Sequence, residues 1–405
     1  MSYFDKAVDR STTNAEKYNK NEIEEICGNP DALPYWVADM DLPTSPVIKA
    51  ALQRETDLAV PGYASHKEML PEVRAFVREK HGWDVSPSQV IYAQGMLHAI
   101  SLAMNLFTKE GDEILLPYPC YQPFVHMIED NGRIIRRFDL TCTDGLFSFD
   151  REEFRRKSEG CTAILFCSPH NPSGVVFSEE DLTFILSSAK EHAQIVFSDE
   201  IHSDLVHPSC CHYPMGLVNE KVGAKCITFM APSKTFNIAG EHCAFAFFDD
   251  MDMKLRYQKA QKRLFLAGEG YFAGALAEAV YSKENYQFLS DMNAYLEANA
   301  DYVRNYLEEN VPGIRMANAG ASFITFLDCS GIYDKILKDK EAHPEFYEGD
   351  YNIISHFFGN RVGICVNDGS WFGSGYEKFV RFNYGTSREL VVKAMELIKK
   401  AVDAL

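Results

Sequence analysis

The chain has 405 residues, of which 46% are hydrophobic and 24% charged, with a net charge of −18. That apolar content excludes a disordered chain, and the length predicts more than one core. The acidity argues against nucleic acid as a partner, since phosphate binding draws on clustered Lys and Arg, and no apolar run reaches the length of a membrane span.

The opening residues Met1 to Lys6 carry no apolar stretch of the leader type. The first 45 residues are polar and turn-rich until Tyr35-Trp36-Val37, and are expected to pack with the C-terminal part. Short strands alternating with helices are then predicted: Val90 to Ala93, helix Met96 to Phe107, Glu113 to Leu116, helix Tyr121 to Asp130, and Ala163 to Cys167. Helix Glu179 to His192 follows, with strands Gln194 to Ser198, Cys226 to Met230 and Ala244 to Phe248. This alternation predicts an α/β fold with a mostly parallel central sheet covered on both faces. A long helix is expected from Tyr286 to Glu309. Strands Phe323 to Leu327 and Val380 to Tyr384 and a closing helix Arg388 to Val402 predict a smaller α/β domain. The expected division is an N-terminal segment 1–45, a large domain 46–285 and a small domain 286–405. Eleven cysteines without a C-x-x-C pair, with Cys210 and Cys211 adjacent, point to reduced thiols in a cytoplasm.

Ligands of open parallel sheets bind beyond the carboxyl ends of the strands, and four features fall there. Gly95-Met96-Leu97 opens a helix whose free N–H groups suit a phosphate, although a glycine here also serves a plain turn. Asn171 lies between Pro169 and Pro172 in a stiff loop and suits either a cofactor oxygen or a cap. Asp199 ends a strand, where a carboxylate can hold a protonated ring nitrogen or cap a helix. His202 follows as a neighbour of the site or a packing histidine, and Glu200-x-His202 lacks a third ligand for a metal. Lys234, after Ser233, is a surface turn lysine or a buried amine made nucleophilic by its surroundings. Taken together and in this order, the four features supply the contacts that pyridoxal 5′-phosphate needs.

This ordered set resembles the fold-type I pyridoxal-phosphate enzymes of the class I/II aminotransferase superfamily. It is most similar to the MalY/PatB-like cystathionine β-lyases, through Trp36-Val37-Ala38-Asp39-Met40-Asp41, Asp199-Glu200-Ile201-His202 and Ser233-Lys234-Thr235-Phe236-Asn237. The resemblance implies that Lys234 carries the cofactor as a Schiff base and acts as catalytic base. Asp199 then holds the ring nitrogen, Asn171 meets the ring oxygen and Tyr121 stacks on the ring, with His202 nearby. Phosphate binding falls on Gly95, Met96, Leu97, Ser233 and Tyr63, the last reaching a neighbouring subunit of a homodimer. Arg381, Ala38 and Asn171 seat the substrate carboxylate. The sequence departs from the wider pattern at His242, where an arginine is common, and at Ala231, where Ser or Thr is. The implied activity is β-elimination from a cysteine thioether. Transamination uses the same lysine, aspartate and arginine and stays open at this stage, as does a regulatory role for a chain that carries the cofactor.

Overall fold

The computed structural model describes residues 2–63, 65–349 and 352–405. Its central sheet has seven strands: β1 (Val90–Ala93), β2 (Glu113–Tyr118), β3 (Ile134–Asp139), β4 (Ala163–Cys167), β5 (Ile195–Asp199), β6 (Lys225–Met230) and β7 (Ala244–Phe248), in the order β1-β7-β6-β5-β4-β2-β3. β2 to β6 pair in parallel, whereas β7 runs antiparallel to both β1 and β6. Every residue of β4 and β5 is buried, as strands covered by crossover helices on both faces must be. β3 has no counterpart among the expected elements. It is an edge strand whose Arg136, Arg137 and exposed Ile134 break the apolar run that marks interior strands. The helix expected from Tyr121 begins at Pro123, because proline is favoured in the first turn, where its missing N–H costs nothing.

Register decides where the site falls. Cys167 of β4 pairs with Asp199 of β5, and Asp199 pairs with Phe229 of β6. The segments after these residues therefore emerge side by side, although they lie far apart in sequence. A second, antiparallel sheet contains β8 (Arg315–Met316), β9 (Ile324–Asp328), β10 (Asn367–Asp368) and β11 (Phe379–Asn383), in the order β8-β9-β11-β10. Helices Tyr286–Asn310 and Arg388–Asp403 flank it. Leu33–Pro34 pairs in parallel with Ile364–Cys365, and the Tyr35 ring stacks on Phe382 at 5.1 Å. Among the described residues no helix is long and apolar enough to cross a membrane.

The chain from Trp36 to Leu42 bridges the two sheets. Asn237 accepts from Met40 N–H at 3.0 Å and donates to Met40 O at 2.8 Å, and Asn383 donates to the carbonyls of Val37 and Asp39. On the other side Arg10 pairs with Asp39 at 2.7 Å, and Lys17, only 1% exposed, pairs with Asp41 at 2.8 Å. Buried charges persist where such pairing is complete. The strap is thus held by side chains from both sheets and from the N-terminal segment.

Candidate active site

Lys234 lies on the short helix Pro232–Thr235, reached from β6 through Ala231. Its Nζ donates to Ala38 O of the strap at 2.8 Å. Burial, and then the nearby Arg381 guanidinium, lower its pKa, with Asp39 and Asp199 acting the other way. A lowered pKa raises the share of free amine, the form that attacks a carbonyl.

Asp199 is 3% exposed, and among the described residues the one protein hydrogen bond to its carboxylate comes from Ile201 N–H to Oδ1. Burial pushes its pKa up to about 7; the Ile201 N–H opposes that and Glu200 adds to it. A carboxylate with this deficit of donors suits a cationic N–H. The same shift has a consequence for stability. The folded value lies above the ordinary 3.8, so the stability linked to protonated Asp199 is present in acid and lost as pH rises through about 7. In cofactor-free protein the advantage of Asp199→Asn over wild type should therefore grow by roughly 2 kcal/mol between pH 5 and 7.5, read from denaturant midpoints. An unchanged difference across that range contradicts the assignment.

Arg381 sits on β11 opposite Asn367. It donates to Trp36 O at 2.7 Å, to Asn367 Oδ1 at 2.8 Å and to Asn171 Oδ1 at 3.4 Å, and packs over the Phe372 ring at 5.1 Å. Burial pulls its pKa down to about 10. Its Nε is buried without a partner, and among the described residues no carboxylate pairs with it. A buried guanidinium facing only neutral oxygens calls for an anion from outside the chain.

The other expected residues divide. Asn171 meets Arg381 as described. Tyr121 packs edge-on against Phe124, and burial raises its pKa, with Arg381 and Asp199 close enough to perturb it. His202 is 1% exposed, and its Nδ1 lies 3.1 Å from Ser322 Oγ. Burial, Lys234 and Arg381 depress its pKa to about 3, which keeps it neutral. Glu200 turns instead to His212, Ser198 and Met215 N–H, so Glu200 and His202 do not converge. Gly95, at φ 99°, opens helix Met96–Phe107 with no side-chain cap, and a Cβ there would stand 3.1 Å from His242 Nδ1. Met96 is buried and Leu97 exposed. Ser233 offers its carbonyl to Ile238 N–H. Tyr63 is fully exposed and joins none of these groups within the chain. Sequence reasoning missed Asn383 and Ser322. Asn383 alone had a local signal, since it stands two residues from Arg381 in one strand and so shares its face.

A lysine whose surroundings favour the free amine, a donor-poor carboxylate, a helix end without a side-chain cap and an orphaned guanidinium nitrogen together fit a pyridine aldehyde bearing a phosphate and an amino acid bound to it. With the parallel sheet that presents them, they define a pyridoxal-phosphate-dependent enzyme of fold type I. Residues 37–398 match aminotransferase class I and II, and the chain belongs to that family. It is 33% identical over 402 residues to cystathionine β-lyase PatB of Bacillus subtilis, covering 98% of this chain and 99% of that protein. Cystalysin from Treponema denticola, which contains pyridoxal 5′-phosphate, superposes with a TM-score of 0.87 at 27% identity, covering 100% of both chains. A pyridoxal-phosphate-bound C–S lyase from Staphylococcus hominis, in complex with L-cycloserine, gives 0.87 at 25% identity over 99% of each chain.

Proposed function

We propose that the chain is a pyridoxal-phosphate-dependent C–S β-lyase that cleaves cystathionine or a related cysteine thioether to a thiol, pyruvate and ammonia. The observation that carries this reading is the Lys234 amine, held at 2.8 Å from Ala38 O and close to an Arg381 that has no carboxylate of its own. Arg381 binds the substrate α-carboxylate through parallel donors, and Asn171 and the Trp36–Ala38 backbone fix its orientation. Lys234 removes the proton from Cα. Asp199 keeps the ring nitrogen protonated. The cofactor, when bound, supplies the electron sink that lets a sulfur substituent on Cβ depart with its electron pair. Full-length likeness to PatB supports elimination over amino-group exchange.

L-cystathionine incubated without any keto acid should yield homocysteine and pyruvate in equal amounts. No product under those conditions, with amino-group exchange once a keto acid is added, would replace the lyase by an aminotransferase.

The enzyme acts as a homodimer in this reading. Tyr63 projects from the surface in a stretch that also exposes Leu58 and Val60, and we assign its hydroxyl to the phosphate in the second subunit. Loss of one such hydrogen bond in Tyr63→Phe should weaken cofactor binding roughly 5- to 15-fold, measured by titrating visible absorbance. A monomer at micromolar concentration that still turns over cystathionine refutes the shared site. All eleven cysteines are unpaired, and we place the enzyme in the reducing cytoplasm on that basis.

A further inference from the structure

The contact between His202 and Ser322 stands beside a backbone bridge, Val206 to Ala321, that joins the segment after β5 to the segment before β9. His202 follows β5 in the central sheet, whereas Ser322 leads into β9 of the second sheet. Both are 1% exposed. The Ser322 backbone is held in place by its N–H to Leu205 O at 2.7 Å, at φ 73°. A side chain carried at positive φ is uncommon, so the position is fixed by its surroundings.

The direction of the hydrogen bond follows from counting acceptors. Ser322 Oγ has a single partner among the described residues, His202 Nδ1 at 3.1 Å. If Nδ1 carried the proton and donated to Oγ, the serine O–H would be buried with nothing to accept it, a costly arrangement. The hydroxyl must therefore donate to Nδ1. A neutral imidazole has one N–H, and here it falls on Nε2, which makes no protein hydrogen bond among the described residues. Burial first, and then Lys234 and Arg381, hold the ring neutral, so Nε2 stays a donor and Nδ1 an acceptor.

We propose that Ser322 is a positioning residue that fixes the tautomer of His202, so that an Nε2–H donor faces the cofactor from beside Lys234. The inference rests on His202 lying against the cofactor. It goes beyond the lyase reading by assigning a residue of the second sheet control over a proton in the site. A donor there stabilises negative charge on a ring oxygen, whereas an acceptor repels it.

The test uses protein labelled with ¹⁵N in histidine, with and without pyridoxal phosphate, and the variants Ser322→Ala and Ser322→Gly. Glycine removes the hydroxyl while accepting φ 73° without strain, so it separates loss of the proton donor from loss of folding. Wild type should show His202 protonated at Nε2 alone in both states. Both variants should lose that single pattern, and the pH midpoint of the bound cofactor's visible absorbance should move by roughly half a unit or more. Wild-type protein protonated at Nδ1 overturns the proposal, as does an Nε2–H pattern that survives in both variants with an unmoved midpoint. These readouts do not depend on which amino acid is the substrate. The assignment can therefore fail while the lyase stands, and it can hold if the reaction proves to be a transamination.

Discussion

Lys234→Ala should abolish cystathionine cleavage, with kcat down by at least about 10⁴-fold, while the cofactor-free protein stays folded. Two roles are lost together. In the proposed reading the amine forms the covalent bond to the aldehyde and also serves as the base for the Cα proton. An added small amine can replace a base but cannot hold the cofactor, so partial chemical rescue should restore proton removal without restoring a borohydride-trappable adduct at position 234. Stability should not suffer. Burial and Arg381 lower the Lys234 pKa, so its charged form is disfavoured by folding and removing it relieves that penalty. Lys234→Arg makes a sharper comparison, because it keeps a cation near Ala38 O but offers no amine that can lose its proton near neutrality. Residual turnover above about 1% in the alanine variant would move the chemistry to another residue.

The strand ends were readable because β4 is apolar throughout and β5 and β6 are mostly so, and polar residues follow where the apolar character stops, at Ser168, at Ser198-Asp199 and at Ser233-Lys234. Chemistry-bearing residues placed at such stops are conspicuous in an otherwise apolar context. Asn171 was readable for a related reason, since Pro169 and Pro172 mark a loop with little freedom. What the sequence hid was pairing across long separations. Asn237 holds Met40 from 197 residues away, and Ser322 meets His202 across 120. Neither Asn nor Ser announces a partner, because both are ordinary loop residues whose meaning comes from register and packing. Asn367 is hidden in the same way. Its two-residue strand carries no periodicity, and only its position opposite Arg381 in the second sheet makes it a ligand of the guanidinium. In the sequence, the charged residues of Trp36–Asp41 stand out only through the resemblance they carry. Their physical role, in which Arg10 and Lys17 tether Asp39 and Asp41 so that Ala38 O stands over Lys234, came only with the fold.

The same strap gives Arg381 its importance. Trp36 O and Asn367 Oδ1 together occupy one end of the guanidinium, Asn171 touches the other at 3.4 Å, and Nε is left over. These neutral contacts orient the fork without neutralising it, and in the proposed reading its charge is met by the substrate carboxylate. Arg381→Ala should lower kcat/KM for cystathionine by roughly 30- to 1000-fold, or about 2–4 kcal/mol, the cost of removing one member of a buried, hydrogen-bonded charge pair. Arg381→Lys should recover part of this, because an ammonium supplies charge but not two parallel donors. The loss should appear in kcat as well as KM, since a carboxylate held in the wrong plane leaves the Cα–H bond misaligned for Lys234. The decisive measurement is discrimination. Wild type should strongly prefer a cysteine thioether over its analogue lacking the α-carboxylate, and Arg381→Ala should erase most of that preference by losing activity only on the carboxylate-bearing substrate. If both substrates fall in parallel, Arg381 supports the fold and the anion is bound elsewhere.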